Sequence, residues 1–195
     1  MKLQQMKELT EGEQEDLFEK LSKHRALGKT INYASIYKAG AAKIALTAGV
    51  SLQEAEKALK GYWELNKSVL EIEEEQVVIK DSKGGSWLIN PINGLLYSLR
   101  SDKDRFSTLA QGTGSYMFDM WVDTFLDKLQ DKWGKKTLTG SFHDELIVVV
   151  KDDKKVVDIV EKMLYDSIKE VSDRYMMRRN LGCDVQKGFR YSEIH

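Results

Sequence analysis

The chain has 195 residues, 42% hydrophobic and 31% charged, with a formal net charge of −1. That balance suits a soluble globular protein with enough apolar material for a core, and it leaves any contact with a polyanion to local charge clusters. One cysteine, Cys183, excludes an intrachain disulfide. No apolar run approaches the roughly 18 residues of a membrane span, and MKLQQMKELTEGEQ lacks the apolar centre of a secretory leader, so a cytoplasmic protein without a membrane role is expected.

In chain order, residues 1–22 are polar and acid-rich (Glu8, Glu11, Glu13, Glu15, Asp16, Glu19), and the Thr10-to-Glu13 spacing of a capping box predicts a short helix from about residue 11. The charge then reverses: Lys23 to Lys43 holds five basic residues and no acid. Leu27, Ile31, Ala34 and Ile36 fall there at helical spacing, with Gly40 as the expected stop. Ser51 and Glu54 open another helix with Ala55, Leu59, Tyr62 and Trp63 on one side, running with a break to about Val78. DSKGG marks a turn, and WLINPINGLLYSL reads as a β-hairpin reversing near Pro91 to Gly94. Phe106, Leu109, Met117, Met120, Trp121, Phe125 and Leu129 predict one long helix over 103–131. GSFHDELIVVV, residues 140–150, predicts a turn and a buried strand, Leu146 to Val150, with His143, Asp144 and Glu145 at its mouth. A helix from about Lys154 to Arg179 and a last strand around 183–187 complete the chain. Helical runs with a late antiparallel sheet place it in the α+β class.

Three stretches carry chemistry. Arg25, Lys29, Tyr33 and Tyr37 recur every fourth residue; each step overshoots a helical turn by about 40°, so they line one broad side. Two cations followed by two rings suit a ligand with phosphates at one end and a flat base at the other. The same spacing also suits an amphipathic helix with solvated lysines. Asp144, projected from a strand, suits magnesium, which takes hard oxygen ligands and one or two carboxylates beside substrate phosphates. A plain polar turn before a core strand fits those residues as well. In RFSTLAQGTGSYM, Gly112 and Gly114 each cost about 1 kcal/mol relative to alanine inside a helix. That points either to close approach of a ligand to the backbone or to tight helix packing. Gln111 beside them can both donate to and accept from a base edge.

Together these stretches resemble the family A DNA polymerases. RALGKTINYASIYKAG, residues 25–40, is similar to that family's fingers helix, with Arg, Lys, Phe or Tyr, and Tyr at intervals of four. SFHDEL resembles its palm motif Val-His-Asp-Glu, and AQGTGSYM at 110–117 its Gln-Gly-Thr-Ala segment. LTAGVSLQEAEKALKGYWELNKSVLE resembles the stretch after the fingers helix, and GFRYSEIH the family's terminus. The order and spacing agree from about residue 20 to 195. The resemblance implies a right-hand polymerase fold, in which a polar helical segment (1–22) precedes a fingers portion (23–84) and a palm portion with a metal-binding hairpin (85–195).

The resemblance also implies roles. Arg25 and Lys29 hold the triphosphate of an incoming deoxynucleotide, with Lys29 also serving the chemistry. Tyr33 packs against its sugar and base, where a tyrosine goes with tolerance of nucleotides lacking a 3′-hydroxyl. Tyr37 stacks near the templating base. Gln111, Arg105 and His143 contact primer–template DNA, and Asp144, supported by Glu145, binds Mg2+ in a two-metal site. Several positions depart from the family pattern. Lys38 replaces the glycine that usually follows the last tyrosine, Ser141 and Phe142 precede the histidine, Ser107 replaces an asparagine, and Tyr191 stands at a tryptophan. The family's upstream aspartate, on an Asp-Tyr-Ser-like strand, has no counterpart before residue 23, since Asp16 lies in the polar stretch QEDLFEK. That strand and the thumb are therefore expected on a second polypeptide partner or on further sequence of the same chain. A noncatalytic module binding primer–template DNA is the alternative.

Overall fold

A computed structural model of the chain describes residues 11–134 and 140–194. Helices α1 (Glu11–Ile36), α2 (Ala41–Ala48), α3 (Leu52–Leu65) and α4 (Lys67–Glu75) are followed by strands β1 (Val78–Lys80), β2 (Ser86–Ile89) and β3 (Leu96–Leu99). Then come α5 (Arg105–Trp133), strands β4 (Gly140–Phe142) and β5 (Glu145–Ile147), and α6 (Lys154–Arg174). The fold is α+β, with antiparallel pairing throughout both small sheets, β1-β2-β3 and β4-β5. The chain divides into two compact units, the first ending at Ala110 and the second beginning at Gln111. Among the described residues no helix is long and apolar enough to cross a membrane.

In the first unit, α1 is one continuous helix rather than a short polar helix followed by a basic one. Its first half buries little: Phe18 and Leu21 are exposed, and pairs such as Glu19–Lys23 at 2.6 Å support it locally. Thr10 of the expected capping box lies outside the described residues. The helix stops at Ile36, four residues before the expected stop, and Gly40 instead caps the start of α2. The reason is a backbone reversal at Lys38, whose φ is +54°. The Lys38 N–H donates to the Ser35 carbonyl and the Ala39 N–H to the Ala34 carbonyl, both at 2.8 Å. This is the Schellman pattern that glycine normally closes; a lysine there costs about 1–2 kcal/mol.

Ser51 and Glu54 form the expected capping box, the Glu54 N–H donating to Ser51 Oγ at 3.3 Å and the Ser51 N–H to Glu54 Oε2 at 2.9 Å. The Ser51 hydroxyl, which donates to Glu54 Oε2 at 2.7 Å, and then the Ser51 N–H hold the Glu54 carboxyl below its ordinary pKa. The expected break falls at Asn66, whose N–H and side-chain amide both donate to the Tyr62 carbonyl at the end of α3. Val78, the expected helix end, instead begins β1, which pairs Val78 with Leu88.

The β1–β2 turn is organised by Asp81. Its Oδ1 accepts from the N–H groups of Lys83 (2.8 Å) and Gly85 (2.9 Å), and its Oδ2 from the Trp87 indole (2.8 Å). A Cβ at position 85 would lie 2.6 Å from that carboxylate, so glycine is needed there. The indole bond first, then the two amides, lower the Asp81 pKa. A lowered folded pKa means the stabilisation is complete above the ordinary aspartate range and is lost as pH falls below about 4. Protection of the Lys83 and Gly85 amides against exchange should fall over that window in the native chain; in Asp81→Ala it should already be low at pH 7. The β2–β3 hairpin is as expected, with the Asn90 side chain accepting from Ile92 N–H and its carbonyl from Gly94 N–H inside the turn.

In the second unit, α5 and α6 form the core. Met117, Trp121, Phe125 and Leu129 pack with Val160, Leu164, Ile168 and Val171. The Trp121 indole crosses between the helices, donating to the Leu164 carbonyl (3.2 Å) and Ser167 Oγ (3.0 Å). α6 ends at Arg174, before the expected Arg179, because Met176 takes a left-handed φ of +49° and closes the end as Lys38 does in α1. Residues 183–187 are not a strand. Cys183 and Val185 nonetheless pack against the core, and Lys187 pairs with Glu161 of α6. The apolar stretch after Glu145 is also shorter as a strand than expected, ending at Ile147. It is half-buried, with Leu146, Val148 and Val150 against the core and Val149 72% exposed.

Candidate active site

Helical geometry places Arg25, Lys29 and Tyr33 on one side of α1, Tyr37 follows in the turn just past its end at Ile36, and all four are exposed. Tyr33 and Tyr37 each keep 51% of their surface open, so a flat ligand meets uncovered rings. Lys29 Nζ lies 5.6 Å from the Tyr33 ring centroid, within the range at which a cation is attracted to a ring face. Among the described residues neither Arg25 nor Lys29 has a carboxylate partner, whereas Lys23 on the same helix is paired. Their charge is therefore available to an anion.

The tip of α1 borders an open groove of about 790 Å3 within the first unit. Its lining includes Tyr33, Tyr37, Lys38, Lys43, Lys103 and Asp104. The Lys38 ammonium is paired with Glu73, and the Lys43 and Lys103 ammonium groups against the one carboxylate of Asp104 make the groove net cationic; its size is in the range of small-ligand sites. Lys43 and Lys103 were not among the sequence candidates. The excess of cations across 23–43 pointed toward Lys43, but nothing local in DKDRF marks Lys103. Arg105, at the start of α5, is held by Asp102, with its Nη2 at 2.9 Å from Oδ1.

In the second unit, β4 and β5 are joined by the two-residue turn His143–Asp144, with Phe142 paired to Glu145. His143 has a φ of +54°, a conformation that favours glycine. Two-residue hairpin turns favour a positive φ at this position, and histidine is among the residues enriched there after glycine. The turn leaves His143 and Asp144 exposed and Glu145 half-buried. Asp144 is therefore a hard-oxygen donor on a short hairpin, suited to magnesium. Among the described residues no group of three or more His, Cys, Asp or Glu side chains comes together to hold a metal. Asp144 and Glu145 are donors of the kind magnesium takes, and the described residues do not complete a site around them. Asp16, exposed in α1, sits on no strand. Gln111 is exposed on α5, and a Cβ at Gly114 would meet nothing within 4 Å, so packing does not explain that glycine. Gly112 is buried.

In the first unit, cations without a carboxylate partner lie beside exposed rings, an arrangement that suits a ligand with phosphates and a flat base. The sequence pattern that defines DNA polymerase family A matches residues 13–193. The chain belongs to that family, and its function is DNA polymerisation. No curated protein matches the chain.

Proposed function

We propose that this chain carries the fingers and part of the palm of a template-directed DNA polymerase. In this reading a primer 3′-hydroxyl attacks the α-phosphate of a deoxynucleoside triphosphate and pyrophosphate leaves. Asp144 is one magnesium ligand and Glu145 its support. Magnesium, when bound, neutralises charge on the attacking and leaving oxygens. The remaining carboxylate comes from outside residues 11–194, on a strand supplied by a second polypeptide or by further sequence of the same one. The observation that carries this reading is the His143–Asp144 turn, which presents an exposed carboxylate at the end of a two-stranded hairpin.

This chain's other residues bind and orient. Arg25 and Lys29 take the triphosphate, Tyr33 the sugar and base, and Tyr37 the templating base; their exposure and free charge support these roles. Gln111, Arg105 and His143 contact primer–template DNA. Lys29→Ala should weaken deoxynucleoside triphosphate binding by about 10- to 100-fold, as loss of a charge-assisted phosphate contact does. Lys23→Ala, which removes an already paired cation from the same helix, should change it less than threefold. Equilibrium titration with a fluorescent triphosphate measures both, and equal effects would contradict the assignment of this face.

A further inference from the structure

Lys38 stands where the resemblance leads one to expect glycine, and two features of its turn work against the observed geometry. Its own backbone is left-handed, with φ +54°. Three residues back, Ser35 is fully buried and its hydroxyl has no hydrogen-bond partner. A glycine would close this turn unaided; a lysine holds it only if its side chain gains something in return. That side chain does not extend into solvent. Its ammonium lies 2.7 Å from Glu73 Oε2 of α4, with the two side chains only 20% and 13% exposed. It also lies 4.2 Å from the ring centroid of Trp63 on α3. An ion pair this sheltered is screened far less than a surface pair, and the ring face adds a second attraction.

We propose that Lys38 is a positioning residue. Its side chain clasps the end of α1 to both α3 and α4, and so fixes Tyr37, the preceding residue, at the edge of the cationic groove. Tyr37 and Lys38 both line that groove, and the Lys38 and Ala39 amides are bonded back into the last turn of α1. Release of the ammonium leaves the turn with its unfavourable φ and its orphaned hydroxyl but without the contact that offsets them. The turn then relaxes, and the Tyr37 ring shifts relative to Tyr33. The consequence for synthesis rests on the reading of the groove as the seat of the incoming nucleotide and the templating base. The clasp itself does not.

The test uses the full chain, alone for hydrogen exchange and in its extension-competent complex for kinetics. Glu73→Gln removes the charge and keeps the size. It should speed exchange of the Lys38 and Ala39 amides about tenfold and raise KM for the incoming nucleotide about tenfold, with kcat changed less than threefold. Glu73→Asp, which keeps the carboxylate, should retain most of the native exchange rate and KM. In a Lys38→Gly background, where the turn needs no offset, Glu73→Gln should have no further effect on either readout. A merely structural ion pair would lower overall stability without this dependence on residue 38. Unchanged exchange in Glu73→Gln overturns the clasp. Faster exchange with an unchanged KM overturns its positioning role and leaves the polymerase reading intact. A wild-type complex that extends no primer contradicts the polymerase reading, and the exchange data still decide the clasp.

Discussion

Asp144→Asn should lower primer extension by at least about 10³-fold, equivalent to about 4 kcal/mol of barrier. The substitution keeps the side chain's size and removes its negative charge, so the proposed magnesium ligand would be lost with little change in shape. Asp144 is exposed at a turn, and its replacement should leave the fold intact. Circular dichroism and triphosphate binding by the α1 face should match the wild type, which separates a lost metal ligand from a lost structure. Glu145→Gln, at a residue assigned only support, should cost less. A variant at position 144 that extends primers within about tenfold of wild type would remove the carboxylate from the chemistry.

Phe125→Ala should have the largest effect on stability. The ring is completely buried on α5, between Trp121 and Leu129 and against the residues of α6. Truncation loses the transfer free energy of the ring and leaves a cavity that two long helices cannot easily close. Such changes cost about 3–5 kcal/mol. Amides of Val160 to Val171 should exchange faster to a matching degree, while those of α3 in the first unit should change little. A loss below about 1 kcal/mol would mean that α5 and α6 do not share this core.

Much of this architecture was legible in the residues, for identifiable reasons. Ser51 and Glu54 announced α3 because a capping box is a local contact between neighbours. Trp121, Phe125 and Leu129 announced α5 because its buried face repeats at the helical period. Asn90, Pro91 and Gly94 marked the β2–β3 turn because their backbone preferences are local as well. The errors arose where the deciding contact was distant or the signal unusual. Val77 to Ile79 carries no glycine or proline to separate it from the preceding helix, and only pairing with Leu88 and Trp87 makes it a strand. α1 and α6 end at left-handed lysine and methionine residues rather than at glycine. Cys183 and Val185 alternate as a strand would, yet they pack as an extended segment without a ladder.

The candidate site divides along the same line. The shared face of Arg25, Lys29 and Tyr33 was readable because a helix turns fixed spacing into one side, and the exposed turn at Asp144 because an apolar stretch follows paired acids. The clasp of Lys38 on Glu73 and Trp63 was not readable, since it joins three helices whose packing no periodicity reveals. Lys103 was missed for a similar reason, as only the folded first unit brings it to the groove beside Tyr37.

The most direct measurement is extension of a primed template by this chain, with and without a polypeptide bearing the Asp-Tyr-Ser-like strand, in the presence and absence of magnesium. Synthesis that requires the chain, the added strand and the metal together, and that Asp144→Asn abolishes, is the predicted result. Synthesis by residues 1–195 alone, or synthesis in the mixture that is indifferent to Asp144, would contradict it.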